Sequence, residues 1–238
     1  MSDKILNTQI RHSVRKFIDT SSSTFDSLFP ANHDSVNSPV SINRRSIDYT
    51  SQSQFDSTVV LKLPQLGYIG ENYLEIDLAQ VTTNDNWADY IGLSLIRRFT
   101  VKNAGVTLQE HDYLEAMEYA LSNMTNDSRN TLLRLVGGTG FQRGKVLVPL
   151  PCFWSYMLHA GFNPVPAHIL NSPVEIEITF RSAVNCVASG ATPANFSMAS
   201  VKHHFISYET TDQNRQYHLN NRDNYVFKGV DLQSITRQ

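Results

Sequence analysis

Hydrophobic and polar positions alternate with a period of two along several stretches of this chain. Val174, Ile176, Ile178 and Phe180 are separated by Glu175, Glu177 and Thr179, and Leu74, Ile76 and Leu78 lie opposite Tyr73, Glu75, Asp77 and Ala79. Successive side chains of a strand point to opposite faces, so each run predicts a strand with one buried face. Strands are also predicted from Ser57 to Leu63, ending at Pro64, from Gly144 to Pro149, from Phe196 to Tyr208 and from Asn224 to Val230. Ile91 to Val101 is apolar and β-branched. The turn Lys102-Asn103-Ala104-Gly105 then leads into Val106 to Glu110, which makes Arg97 to Glu110 a hairpin with Gly105 supplying a positive φ.

Helical periodicity is confined to connections. Asp112 can cap a helix running to Met124, with Glu115 three residues on and Leu114, Met117 and Leu121 along one face. A second short helix is predicted from Asp127 or Ser128 through Leu135, stopping at Gly137-Gly138. Strands dominate and no β-α-β alternation is present. The fold class is therefore all-β: an antiparallel eight-stranded sandwich of the jelly-roll type with short helices in its connections.

Residues 1–54 differ in character from the rest of the chain. The run Thr20-Ser21-Ser22-Ser23-Thr24 and the polar stretches around Asn32 to Pro39 and Ser41 to Gln54 hold no sustained period, and predict an extended arm before a jelly-roll domain over 55–238. Within the arm, Ile5, Ile10, Val14, Phe17 and Ile18 suggest a short amphipathic helix, which packs either on its own domain or on a neighbouring subunit.

Composition narrows function mainly by exclusion. Twenty basic and 22 acidic side chains leave a formal charge of -2 over 238 residues, so the global balance carries no footprint for direct nucleic-acid binding. No stretch approaches ~18 consecutive apolar residues, so no bilayer-spanning helix is predicted. Cys152 and Cys186 are the two cysteines, too few for a disulfide scaffold or a four-cysteine zinc site; they read as small buried apolar residues in a reducing compartment. The sequons at Asn123, Asn126 and Asn195 carry little weight without a secretory signal.

Catalytic chemistry is not found. The cluster Gly137-Gly138-Thr139-Gly140 to Gly144-Lys145 fails phosphate-loop spacing, because Thr139 stands where the first glycine belongs and Val146 comes after the lysine. His203 and His204 are adjacent on a predicted strand and point to opposite faces, a poor geometry for chelating one metal; they are expected at the surface or half-buried. Glu110-His111-Asp112 is read as a helix cap with solvated neighbours. No catalytic residue, cofactor or metal is assigned.

The segment from Val146 to Leu170 is the most distinctive. Pro149 and Pro151 end strand pairing at a sheet edge, Phe153, Trp154 and Tyr156 supply apolar mass, and Pro164 and Pro166 fix the return path. VPLPCFW, then HAGFNPVPAHIL and SPVEIEITF, resembles the proline-aromatic signature in the first jelly roll of the major capsid proteins of nucleocytoplasmic large DNA viruses. Ile91 to Glu110 is similar to that family's strand pair before a helical excursion, and Phe205 to Tyr217 resembles its closing strand, with Arg215 at the arginine position.

The resemblance spans roughly 55–230 and marks Pro149, Pro151, Phe153, Trp154, Pro166 and Arg215 as structural motif residues. It implies a non-enzymatic virion protein of an icosahedral shell, assembled in the host cytoplasm. It also implies association through jelly-roll edges and the N-terminal arm with other capsid subunits, as a homo-oligomer or with a second jelly-roll chain, and with minor capsid proteins. Family members carry two jelly rolls in tandem and this chain has strands for one, so continuation into a second domain or partner is expected. The alternative from residues alone is a carbohydrate-binding, lectin-like jelly roll with Trp87, Tyr90 and Trp154 lining a sugar platform.

Overall fold

The computed structural model describes residues 41–79, 86–155, 164–188 and 197–209, with Gln216 and Asn220. Eight strands lie among them: β1 (Ser41–Asp48), β2 (Thr58–Lys62), β3 (Tyr68–Leu78), β4 (Ile96–Asn103), β5 (Val106–Asp112), β6 (Gly144–Pro149), β7 (Val174–Phe180) and β8 (Met198–Glu209). The helices are α1 (Ile91–Ser94), α2 (Tyr113–Ser122) and α3 (Asn126–Leu135), with short 3-10 turns at Thr50–Gln52, Ala167–Ile169 and Ala183–Cys186.

Strand pairing is nested. β1 pairs with β8, β2 with β7, β3 with β6 and β4 with β5, all antiparallel. This is the pattern of one long hairpin folded over on itself. Further pairs, β3 with β8 and β4 with β7, complete a first sheet of order β1-β8-β3-β6 and a second of order β2-β7-β4-β5. Every connection except the β4–β5 hairpin crosses between the sheets. The result is the predicted eight-stranded jelly-roll sandwich.

The core is what the period-two pattern requires. Val174, Ile176, Ile178 and Phe180 of β7 are at most 1% exposed, as are Leu74, Ile76 and Leu78 of β3. Burying side chains of this size stabilises a fold by about 1.5–3 kcal/mol each. The outer face of the second sheet instead carries cross-strand ion pairs, Lys62 with Glu175, Lys102 with Glu177 and Arg98 with Glu110, with Arg181 reaching Asp112 beside them. At such exposure these pairs set register and solubility more than stability.

Several expectations change. The arm cannot extend to residue 54, because Ser41–Asp48 is an edge strand of the first sheet and Tyr49 is buried in the core. Its polarity hid it: the positions facing inward include Asn43 and Arg45, and Arg45 is held by the Ser207 hydroxyl and the Glu209 carboxylate. Residues 1–40, with the amphipathic run from Ile5 to Ile18, lie outside the described residues, as do the strand expected at 224–230 and Arg215. Ile91–Ser94 is a helical turn, so the strand expected from Ile91 begins at Ile96.

Helix α2 starts where expected, with the Asp112 carboxylate accepting from the Leu114 N–H at 2.9 Å. Its buried face is Tyr113, Ala116, Met117 and Ala120, whereas Leu114 is 40% exposed. The Tyr113 ring meets Phe99 edge-on, and that contact turns the helix so that its alanines lie against the sandwich.

Candidate functional site

The sequence singled out the proline-aromatic segment, and the structure makes it a corner at the free edge of the first sheet. Pro149 is the last residue of β6, the outermost strand, opposite Tyr73 of β3. A proline there costs no ladder bond. The chain then turns inward: Leu150 N–H donates to Asn72 O at 3.0 Å, and Pro151, Cys152, Phe153, Trp154 and Ser155 are all buried. Phe153 and Trp154 pack edge to face with centroids 4.8 Å apart, and the Trp154 indole N–H donates to Gly70 O at 2.9 Å.

Pro166 is buried on the returning segment. Its neighbour Val165 exchanges two 2.8 Å backbone bonds with Ile69. Both sides of the motif therefore converge on residues 69–72 of β3, where the register with β8 shifts between Ile69 and Asn72. Pro149, Pro151, Phe153, Trp154 and Pro166 are brought together.

Three polar residues that sequence reasoning missed hold the corner. Gln109 of β5, 5% exposed, donates from Nε2 to Pro151 O at 3.0 Å and accepts from Phe153 N–H at 2.7 Å. The Tyr113 hydroxyl donates to Pro149 O at 2.8 Å, with the phenol pushed far above its ordinary range by burial. Together they stitch the edge strand of the second sheet to the end of the edge strand of the first, closing one open side of the sandwich. The available signal for Gln109 was its register: it pairs with Val101, an inward position, where a glutamine must find partners. Asn72 is the third, donating from Nδ2 to Gly70 O at 2.7 Å.

The histidine expectation is half right. His204 faces outward, stacked on Tyr73 at 4.9 Å and 3.4 Å from the Glu75 carboxylate. His203 faces inward and is 0% exposed, which corrects the expected surface or half-buried position. Among the described residues no group of three or more His, Cys, Asp or Glu is placed to hold a metal. Both cysteines are buried; desolvation pushes the Cys186 thiol up to about 12 and the Cys152 thiol well above its ordinary range.

The glycine cluster is a helix-to-strand loop. Gly138, at φ +62°, donates to Leu133 O and ends α3, and the Asp89 carboxylate accepts from Gly140 N–H at 3.0 Å. That amide is already taken by an internal anion, whose negative charge would repel a phosphate. Two of the three aromatics of the lectin alternative are withdrawn from the surface, and only Tyr90 stays partly exposed. Trp154 is 1% and Trp87 0% exposed, and Trp87 stacks on Phe55 while donating to Ala79 O.

No protein-family model matches the chain. In sequence it is 31% identical over 166 residues to the probable capsid protein 4 of Acanthamoeba polyphaga mimivirus, a match covering 61% of this chain and 32% of that protein. The chain thus spans about a third of the length of the curated relative it matches. Among solved structures, the fold is similar to the Faustovirus major capsid protein, with a TM-score of 0.58 at 11% identity over 93% of this chain and 64% of that one. It is also similar to the capsid of the virus PBCV-1, with a TM-score of 0.56 at 16% identity over 76% and 45%. The expected capsid-protein resemblance is therefore borne out at the level of the fold: this chain has the jelly-roll fold of the PBCV-1 and Faustovirus capsid proteins, and a mimivirus protein named as a probable capsid protein is its relative in sequence.

Proposed function

We propose that the chain is a structural, non-enzymatic component of an icosahedral virus shell, built into it as one upright jelly roll. The observation that carries this reading is the sequence match to a mimivirus protein named as a probable capsid protein, together with a nested eight-strand sandwich of the same fold. The corner supports it: its aromatic residues and buried hydrogen bonds brace a sheet edge and expose no reactive group. Partners are other capsid subunits, either copies of this chain or a chain or domain supplying a second jelly roll, joined by minor capsid proteins after assembly in the host cytoplasm.

A sandwich of two open sheets presents edges that invite neighbours. Residues 1–40 precede edge strand β1 and, at up to ~3.3 Å per extended residue, are long enough to reach an adjacent subunit. The test is electron microscopy and light scattering of the purified chain with and without residues 1–40. Rings or shells from the full chain, lost on truncation while the sandwich stays folded, support the reading. Assembly unchanged by truncation removes the arm from it, and a full chain that stays monomeric both alone and with its neighbouring jelly roll overturns it. The deletion must stop at residue 40, since removing β1 would unmake the first sheet.

A further inference from the structure

His203 lies between the sheets, 0% exposed. Its ring packs near Tyr49 at 6.4 Å and Phe205 at 5.4 Å, and its Nε2 lies 2.9 Å from Asn72 Oδ1. Because the amide Nδ2 of Asn72 is committed to Gly70 O, its Oδ1 accepts, which places the single imidazole proton on Nε2. Nδ1 is buried with no hydrogen-bond partner among the described residues. The bonds form a continuous chain: His203 donates to Asn72, Asn72 to Gly70 O, and Trp154 donates to the same carbonyl. The last strand is tied through the β3 irregularity to the proline-aromatic corner.

We propose that His203 is an acid-sensitive latch, whose protonation releases β8 from β3 and loosens the corner that the same hydrogen-bond chain holds. The proton would enter at Nδ1, creating a second N–H and a full charge where the neighbours are two aromatic rings. Burying an uncompensated charge is far costlier than opening the seam to hydrate it. Surrounding groups do not relieve this. On β8 itself, His204 faces outward and its charge disfavours a second one. On β1, Arg45 is occupied by Ser207 and Glu209, and on β3, Glu75 faces outward to Lys145 and His204. Glu71, beside Asn72, accepts from the Ser155 hydroxyl. The Tyr49 hydroxyl, beyond the ring, accepts from the Lys62 backbone N–H.

Burial, reinforced by His204, lowers the His203 pKa to about 3 from an ordinary value of 6.5. Above pH ~6.5 neither the folded nor the unfolded imidazole is charged, and the latch holds in full. As pH falls from there toward 3 the unfolded state takes up a proton that the folded state refuses, so stability is lost, by up to about tenfold in the folded-to-unfolded ratio per pH unit.

The test compares the full chain with its His203→Gln variant, in which a neutral amide can still donate to Asn72, by urea unfolding between pH 8 and 4.5. The wild type is expected to lose stability below pH 6.5 more steeply than the variant, approaching tenfold per pH unit. After correction for the slower intrinsic exchange of amides in acid, the protection of residues 69–74, 150 and 152–155 should fall on acidification in the wild type only. Parallel pH profiles for the two proteins overturn the proposal. Should the variant not fold, nitrogen chemical shifts of the wild-type imidazole decide: a neutral Nε2–H ring persisting to pH 4.5 supports the latch, and a ring that titrates near 6.5 in the folded protein refutes it. Neither readout depends on shell assembly.

Discussion

Gln109 offers the sharpest test of how the sandwich is closed. In Gln109→Leu the side chain keeps its approximate volume and apolar stem but loses both hydrogen bonds, leaving the Pro151 carbonyl and the Phe153 N–H buried without their partner. Each such orphaned group costs about 1–3 kcal/mol, so the pair costs about 2–6 kcal/mol. For a protein of this size about 1 kcal/mol moves Tm by roughly 2–4 °C, which translates into a fall of roughly 4–24 °C. Urea and thermal unfolding followed by circular dichroism give both numbers. Gln109→Glu sharpens the reasoning, because it retains an acceptor for Phe153 N–H but turns a carboxylate oxygen toward the Pro151 carbonyl. That variant should be destabilised at neutral pH and recover partially on acidification, once the carboxyl can donate. A Gln109→Leu protein within about 0.5 kcal/mol of wild type would show that water or a small shift of the corner satisfies both groups, and would refute the stitching role.

Other outcomes rest on single contacts. Gly67 adopts φ +56° and a Cβ there would lie 2.1 Å from Tyr208 O, so Gly67→Ala should cost at least about 1 kcal/mol, read as a lowered urea midpoint. Trp154→Phe keeps most of the ring mass but leaves Gly70 O with Asn72 as its remaining side-chain donor, a loss of about 0.5–1.5 kcal/mol for the hydrogen bond by the same measurement. Both thiols are buried and held protonated, so a thiol-reactive dye at pH 8 should label Cys152 and Cys186 after unfolding in urea and leave the native protein unlabelled.

What could be read from the chain reflects the physics of one-sided burial. β3 and β7 alternate because one face meets the core and the other meets solvent or ion-pair partners; β7 was legible over its whole length and β3 from Tyr73 to Leu78, its first five residues being missed. β1 was not. It is an edge strand whose inward positions include Asn43 and Arg45, and Arg45 is satisfied by groups on β8 some 160 residues away, a partner that no local pattern announces. The same holds for Asn72, Gln109 and His203, polar side chains at buried positions whose bonds depend on the fold around them. For the corner, the prolines and aromatics told correctly where pairing ends and where apolar mass gathers. That both halves of the motif meet residues 69–72 depends on a register shift that only tertiary contacts define. The turn of α2 toward Tyr113 and two alanines, away from Leu114, has the same origin in a neighbouring ring.

Nesting also sets a timetable for synthesis. Among the described strands, the first to leave the ribosome is the last to find its place, because Ser41 pairs with Glu209 and Asp48 with Lys202. At about 5–20 residues per second that wait is roughly 8–30 s. The second sheet can finish first, since β2 and β7 bring their last residue out at Phe180. Until β8 emerges, β3 has an unoccupied side and β1 has no partner, and loop closure over such separations is slow. Nascent chains crowded on one message therefore hold matching unpaired strands at the same moment, and a chaperone that shields β1 and β3 during this interval would raise the yield of correctly rolled subunits.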